Sequence, residues 1–168
     1  MSGGGNRAAS AIEPLEPALW FERFALLGSR AQDSGLEMPE PLLRHFFHLV
    51  QLTPAPLVHL CGVQVCEASF EQLLEMEHYD CAALLLLGQG FDFAISKSVD
   101  GRAVTVTLSL ADGEPESTAT AGALPQAVLV AYCACMDALR DRASRILRTT
   151  DRVRQTSRSA PHRRSMTH

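Results

Sequence analysis

Phe91-Asp92-Phe93-Ala94-Ile95-Ser96 and Val104-Thr105-Val106-Thr107-Leu108-Ser109-Leu110 are the two runs whose reading decides the fold. Apolar and polar side chains alternate in both, the period of a half-buried strand, and Asp100-Gly101 between them supplies residues that a tight turn favours. Residues 81–87, Cys-Ala-Ala-Leu-Leu-Leu-Leu, form a third apolar run, set off from Phe91 by a turn flanked by Gly88 and Gly90. Together the runs read as an antiparallel meander with one buried and one wetter face. Residues 111–122, which follow, are polar and read as a loop.

Pro125 then opens the clearest helix of the chain, through Val128, Ala131, Tyr132, Cys135, Leu139, Ala143 and Ile146 at spacings of three and four. Its far side turns charged only after Asp137, so its first half reads as a helix sandwiched between its own sheet and something else. Upstream of the meander, residues 19–31 place Trp20, Phe24, Leu27 and Ala31 on one helical face, widened by Phe21 and Leu26. The Gly35 region breaks that helix, and Pro39 or Pro41 opens a second one. Leu42, Leu43, Phe46, Phe47, Leu49 and Val50 surround much of it, and Pro54 and Pro56 terminate it. Residues 57–66 read as a broken strand or hairpin arm around Gly62, and residues 68–77 as a helix with an acidic outer surface. The expected architecture is α+β: an antiparallel sheet of three or more strands packed against N-terminal and C-terminal helices. Residues 1–17 are expected to form a flexible N-terminal segment, 18–148 a single domain, and 149–168 a disordered, arginine-rich tail.

Charge is sorted along the chain. Residues 1–139 hold 17 acidic side chains against six basic ones, a net charge of −11, whereas residues 140–168 hold nine arginines against Asp141 and Asp151, a net charge of +7. Such a distribution governs encounter and partner choice more than fold, and points to a protein that works by binding. The 46% hydrophobic content of the 168 residues is ample for a core. Five cysteines, at 61, 66, 81, 133 and 135, lie among apolar neighbours, which fits a reducing compartment; cytoplasmic localisation is expected. The longest purely apolar run, residues 82–87, is far short of the roughly 20 residues of a membrane span, so no membrane insertion is expected. Neither a cleavable-signal pattern nor a glycine after Met1 is present.

Motifs that carry chemistry are sparse. His45 and His48 are spaced like metal-ligand pairs but have no third ligand nearby. Cys133 and Cys135 diverge by about 200 degrees on a helix and read, with Cys81, as packing residues. Gly88-Gln89-Gly90 lacks the glycine and lysine of a phosphate loop, and Ser69, Ser96 and Ser109 have no nucleophile-elbow context. Glu67, Glu71, Glu75, Glu77 and Asp80 read as a solvated face. The expectation is a non-enzyme without catalytic residues, metal or cofactor.

Four stretches carry a family resemblance: the first helix with Leu19-Trp20-Phe21-Glu22-Arg23-Phe24, residues 38–50, the meander of residues 84–110 centred on Gly88-Gln89-Gly90-Phe91-Asp92-Phe93, and the closing helix of residues 124–147. In these the chain resembles the type III secretion chaperones, and among them the broad-specificity secretion-control chaperones of plant-pathogenic bacteria. The resemblance implies a homodimer that binds type III effector proteins, keeps them competent for export, and engages the secretion ATPase or other apparatus components. Two features depart from the common pattern: two helical segments precede the first strand, and an arginine-rich tail follows the last helix.

On that reading Trp20, Phe24 and Leu27, with Phe46 and Phe47, are the candidate groove for an extended apolar segment of a client, the acidic body favouring basic export regions. Helical aromatics more often fill cores, which is the competing assignment for each of them. Val128, Ala131, Tyr132, Cys135 and Leu139 are expected to be divided between core and self-association, the small Ala127, Ala131 and Ala134 permitting close approach. Arg148, Arg152, Arg154, Arg158, Arg163 and Arg164 form the basic tail, with Arg140, Arg142 and Arg145 preceding it on the helix. Nucleic-acid binding or a regulatory role is the alternative function for this tail. Docking on an acidic protein surface is favoured over it, since the chain has one lysine, no recognition-helix signature, and an acidic body that repels phosphate.

Overall fold

The hairpin forms as its alternation requires. In a computed structural model describing residues 14–33, 39–58, 65–88, 90–111 and 113–158, with side chains of the last helix only through Arg142, β1 (Phe91–Lys97) pairs antiparallel with β2 (Val104–Leu110). The register sets Phe91 opposite Leu110 and Lys97 opposite Val104. Asp100 builds the turn: its carboxylate accepts hydrogen bonds from the Ser98 hydroxyl and, at 3.1 Å, from the Arg102 backbone N–H, while Gly101 takes a φ of 70°. Only glycine enters that left-handed conformation without a steric penalty. The Ser98 and Arg102 donors, in that order, favour the charged carboxyl and hold Asp100 below the usual carboxylate range.

The third strand differs from expectation. Residues 81–87 are not part of the sheet, since residues 79–85 form a helix. Within the stretch read as a polar loop, β3 (Glu116–Ala121) pairs antiparallel with β2, giving the order β1-β2-β3. Both outcomes have local causes. The Ala-Leu run lacks β-branched residues and suits a helix, whereas Glu116-Ser117-Thr118-Ala119-Thr120-Ala121 alternates Thr with small residues. On the outer face Thr105 and Thr107 make hydroxyl contacts with Thr120 and Thr118 at 2.8 and 3.1 Å, the wet side of the sheet.

Five helices among the described residues complete an α+β fold. Helix α1 (Pro17–Asp33) buries Trp20, Phe21, Phe24, Leu27, Gly28 and Ala31, but Leu26 points outward and does not widen the core face. Pro39 opens α2 (Pro39–Gln51), which buries Leu43, Phe46, Phe47, Leu49 and Val50. A 3-10 turn at Ala55–Leu57 replaces the start of the expected strand at 57–66, of which residues 59–64 lie outside the described residues. Helices α3 (Glu67–Glu75) and α4 (Tyr79–Leu85) follow, and Cys81 on α4 is exposed instead of packed. Leu15, expected to be flexible, donates its backbone N–H to Leu52 O at 3.1 Å and packs against the core.

Helix α5 (Leu124–Arg158) is the central element. It runs past the expected boundary at Thr149 to Arg158. One side covers β2 and β3, where the Ser117 hydroxyl donates to Ala131 O at 2.7 Å, and the other meets α1, α2 and α4. Ala127, Val128, Leu129, Ala131, Tyr132, Cys133, Cys135, Met136 and Leu139 are all buried. The surplus apolar surface on this helix is therefore consumed by the chain's own N-terminal helices.

The α1–α5 crossing is close. A Cβ placed on Gly28 would sit 2.8 Å from Cys133 Cβ, an atom fixed to the facing helix backbone. Alanine improves helix propensity by about 1 kcal/mol, but overpacking a fixed contact costs about 1–3 kcal/mol. Because Cys133 Cβ cannot move without its helix, the clash outweighs the propensity gain, so Gly28→Ala is expected to lower the urea midpoint, with a net loss of up to about 2 kcal/mol. An unchanged or higher midpoint would contradict this crossing.

Candidate functional site

The residues expected to form a client groove form the core instead. Trp20, Phe24, Leu27, Phe46 and Phe47 are all buried. Trp20 Nε1 donates to Leu49 O at 2.7 Å, satisfying the indole while its rings pack against Phe21 and Phe24. Phe47 stacks on Phe70 with centroids 4.5 Å apart. A groove at these positions would require α1 and α2 to separate. The self-association set meets the same end: Val128, Ala131, Tyr132, Cys135 and Leu139 are buried within one chain, and the side of α5 left open carries Val130, Ala134, Asp137 and Asp141.

The basic end of the chain begins with internal contacts. Arg142 donates to Glu114 O at 3.1 Å and lies 3.8 Å from the Glu114 carboxylate, fastening the β2–β3 loop to α5. Arg140 lies 3.5 Å from both Asp137 and Asp141. Arg148, Arg152, Arg154 and Arg158 fall on the helical backbone of α5, while Arg163 and Arg164 lie outside the described residues.

The surface that sequence reasoning did not single out is the free edge of β1. Cross-strand partners share a face, so Phe91, Phe93 and Ile95 point to the same side as Leu110, Leu108 and Val106, the side covered by α5. Helix α5 lies over β2 and β3, however, and its cover ends at Phe91, whose ring meets Tyr132 at 4.8 Å. Phe93 is left 48% exposed and Ile95 38% exposed. Among the described residues no strand lies beside β1 on its outer side. Its middle, Phe93-Ala94-Ile95-Ser96, has no charge, proline or bulge, the devices that ordinarily blunt an edge. The β3 edge is smaller and more polar, with Glu116, Ser117, Thr118 and Thr120. The signal was present in the alternation of 91–96, but the strand's edge position depends on β3 and on where α5 crosses.

No chemical constellation competes with this edge. Among the described residues no group of three or more His, Cys, Asp or Glu is placed to hold a metal ion, and His45 and His48 are exposed along α2. Glu71 leaves the acidic face to join Glu40 around Arg44, bridging α2 and α3; its hydrogen bond, then that of Glu40, raises the Arg44 pKa. Glu67, Glu75, Glu77 and Asp80 are exposed. No helix among the described residues is long and apolar enough to cross a membrane. No protein-family model, curated protein or solved structure matches the chain.

The cysteines among the described residues separate into two environments, while Cys61 lies outside them. Cys133 is buried, and desolvation, reinforced by the Asp137 charge, pushes its thiol up to about 12. Cys66 is exposed at the start of α3; it forms no geometrically complete cap bond, yet the nearby Ser69 N–H and hydroxyl, followed by the Ala68 N–H, favour its thiolate and lower its pKa. Iodoacetamide at about pH 8 is expected to alkylate Cys66 and Cys81 in the folded protein, and Cys133 only after denaturation, as mapped by peptide mass spectrometry. Equal labelling of Cys133 and Cys66 in the native state would exclude the packing described for α5.

Proposed function

We propose that this chain is a non-enzymatic, cytoplasmic chaperone of the type III secretion class, binding effector proteins and keeping them competent for export. The observation that carries the reading is the β1 edge, unpaired among the described residues, with Phe93 and Ile95 uncovered between Asp92 and Lys97. An extended client segment added to such an edge gains main-chain hydrogen bonds that depend little on sequence, while alternate apolar side chains settle beside Phe93 and Ile95. That mode suits partners held unfolded and differing in sequence. It agrees with the family resemblance in the hairpin and closing helix, most nearly to the broad-specificity secretion-control chaperone HpaB. The net charge of −11 over residues 1–139 favours basic export regions.

The homodimer implied by the resemblance would have to form on surfaces other than Val128, Ala131, Tyr132, Cys135 and Leu139, which one chain already buries. The arginines from Arg148 onward are proposed to dock on acidic surfaces of the secretion ATPase or another apparatus component. A nucleic-acid role for the same tail is the competing outcome. Binding of full-length and tail-truncated protein to mixed-sequence DNA and to apparatus components in one buffer separates the two.

The client assignment is tested by pull-down from cells expressing a type III secretion system. Phe93→Asp and Ile95→Lys change exposed positions, so the circular-dichroism spectrum should be preserved while effector capture weakens by about tenfold, equivalent to ~1.4 kcal/mol. Undiminished capture by both folded variants would remove β1 as the client site.

A further inference from the structure

Helix α1 carries a second pattern besides its core face. Leu19, Arg23, Leu26 and Arg30 recur at spacings of four, three and four, so they form one stripe, and all four are exposed. Leu26 is the most open of them, at 55%. Beside the stripe, between α1 and α2, lies a cleft of about 120 Å3 lined by Arg23, Leu26, Leu27, Arg30, His45 and Leu49. Its floor is aliphatic and its polar rim is Arg23, Arg30 and His45, with no acidic side chain in the lining. Neither Arg23 nor Arg30 makes an ion pair with a described residue, whereas Arg44, Arg140 and Arg142 all do. Glu22 borders only the shallower depression on the outer side of the stripe.

We infer that this cleft is a docking site for an acidic amphipathic helix of a partner protein, which inserts one leucine-sized side chain between Arg23 and Arg30 and sets carboxylates against both guanidinium groups. A cleft of about 120 Å3 is of a size to take one aliphatic side chain. Arg23 and Arg30 are seven residues apart on one helix, about 10.5 Å along its axis. A partner helix with two carboxylates at that same spacing and a leucine between them matches the stripe position for position. Planar guanidinium groups bind carboxylates in a bidentate manner, which gives the contact orientation as well as attraction. Charge complementarity selects the class: two arginines with no ion pair among the described residues attract a compact acidic segment. The aliphatic floor formed by Leu26, Leu27 and Leu49 favours a partner with an apolar side chain to insert over an extended phosphate polymer, which has none. The site lies on α1 and α2, apart from the β1 edge, and takes the opposite charge from the basic export regions proposed for clients.

The test uses the full chain and a fluorescein-labelled helical peptide with two glutamates at the Arg23–Arg30 spacing, one leucine between them and an alanine-glutamine background, read by fluorescence anisotropy. Saturable binding is expected, weakened at least about tenfold by the double variant Arg23→Glu and Arg30→Glu. A peptide with lysines in place of its glutamates should bind that variant and not the wild type. Phe93→Asp should leave acidic-peptide binding unchanged, so failure of the β1 assignment and failure of this one are distinguishable. The inference is overturned by absence of saturable binding, by equal affinity for wild type and a folded double variant, or by equally effective competition from mixed-sequence DNA carrying the same charge, which would mark the cleft as a general polyanion patch.

Discussion

The structure depends on one aromatic junction. Tyr132, midway along the buried part of α5, lies 5.3 Å from Phe24 of α1, 4.5 Å from Phe46 of α2 and 4.8 Å from Phe91 of β1. Phe24 and Phe46 also meet each other at 5.8 Å, and Trp20 extends the group through Phe24 at 4.6 Å. Stacked and edge-to-face contacts of this kind contribute beyond the area they bury, and here they join four elements drawn from both ends of the chain. Around the junction, directed bonds fix the remaining freedom. Gln126 donates to Ala31 O at 2.9 Å at the end of α1, and Ser117 ties β3 to α5.

Because α5 lies between the sheet and the N-terminal helices, the positions that looked available for partners are occupied. The sequence pattern reported correctly that the first half of α5 is covered on most sides, but periodicity cannot say whether the cover comes from the same chain. The converse holds at β1. Its alternation is that of an ordinary two-faced strand, and Phe93 has the same sequence signature as Phe91. Only the path of α5 separates the covered ring from the uncovered one.

The parts legible in the sequence were those with a single strong local cause: the Asp100-Gly101 turn, the alternation of β1 and β2, the start of α2 at one of two prolines, Pro39 or Pro41, and the helical period after Pro125. Residues 81–87 were misread because a short apolar run satisfies either a buried strand or a helix by periodicity alone. Their Ala and Leu content was the better guide. Strand β3 was missed for the opposite reason. Its inward positions are Ser117, Ala119 and Ala121, too small to register as an apolar stripe, and small residues there suit the close approach shown by the Ser117–Ala131 bond. Of the proposed binding surfaces, the Leu19-Arg23-Leu26-Arg30 stripe was visible in the spacing, but the cleft beside it required the placement of α2.

The central helix is also the last described element along the chain, and this has a consequence for the order of events during synthesis. Translation proceeds from the N-terminus, so Trp20, Phe24, Phe46 and the sheet face of Val106, Leu108 and Leu110 emerge before the helix that covers them. Until residues 127–139 have left the ribosome, the nascent chain presents a sheet and several helices whose apolar faces have no common partner. Contacts between α1 and α5 are far apart in sequence, and such closure is entropically slow relative to the local β1–β2 hairpin. The polypeptide thus passes through an interval in which it exposes the kind of surface that cellular holdases retain, and helix α5 ends that interval.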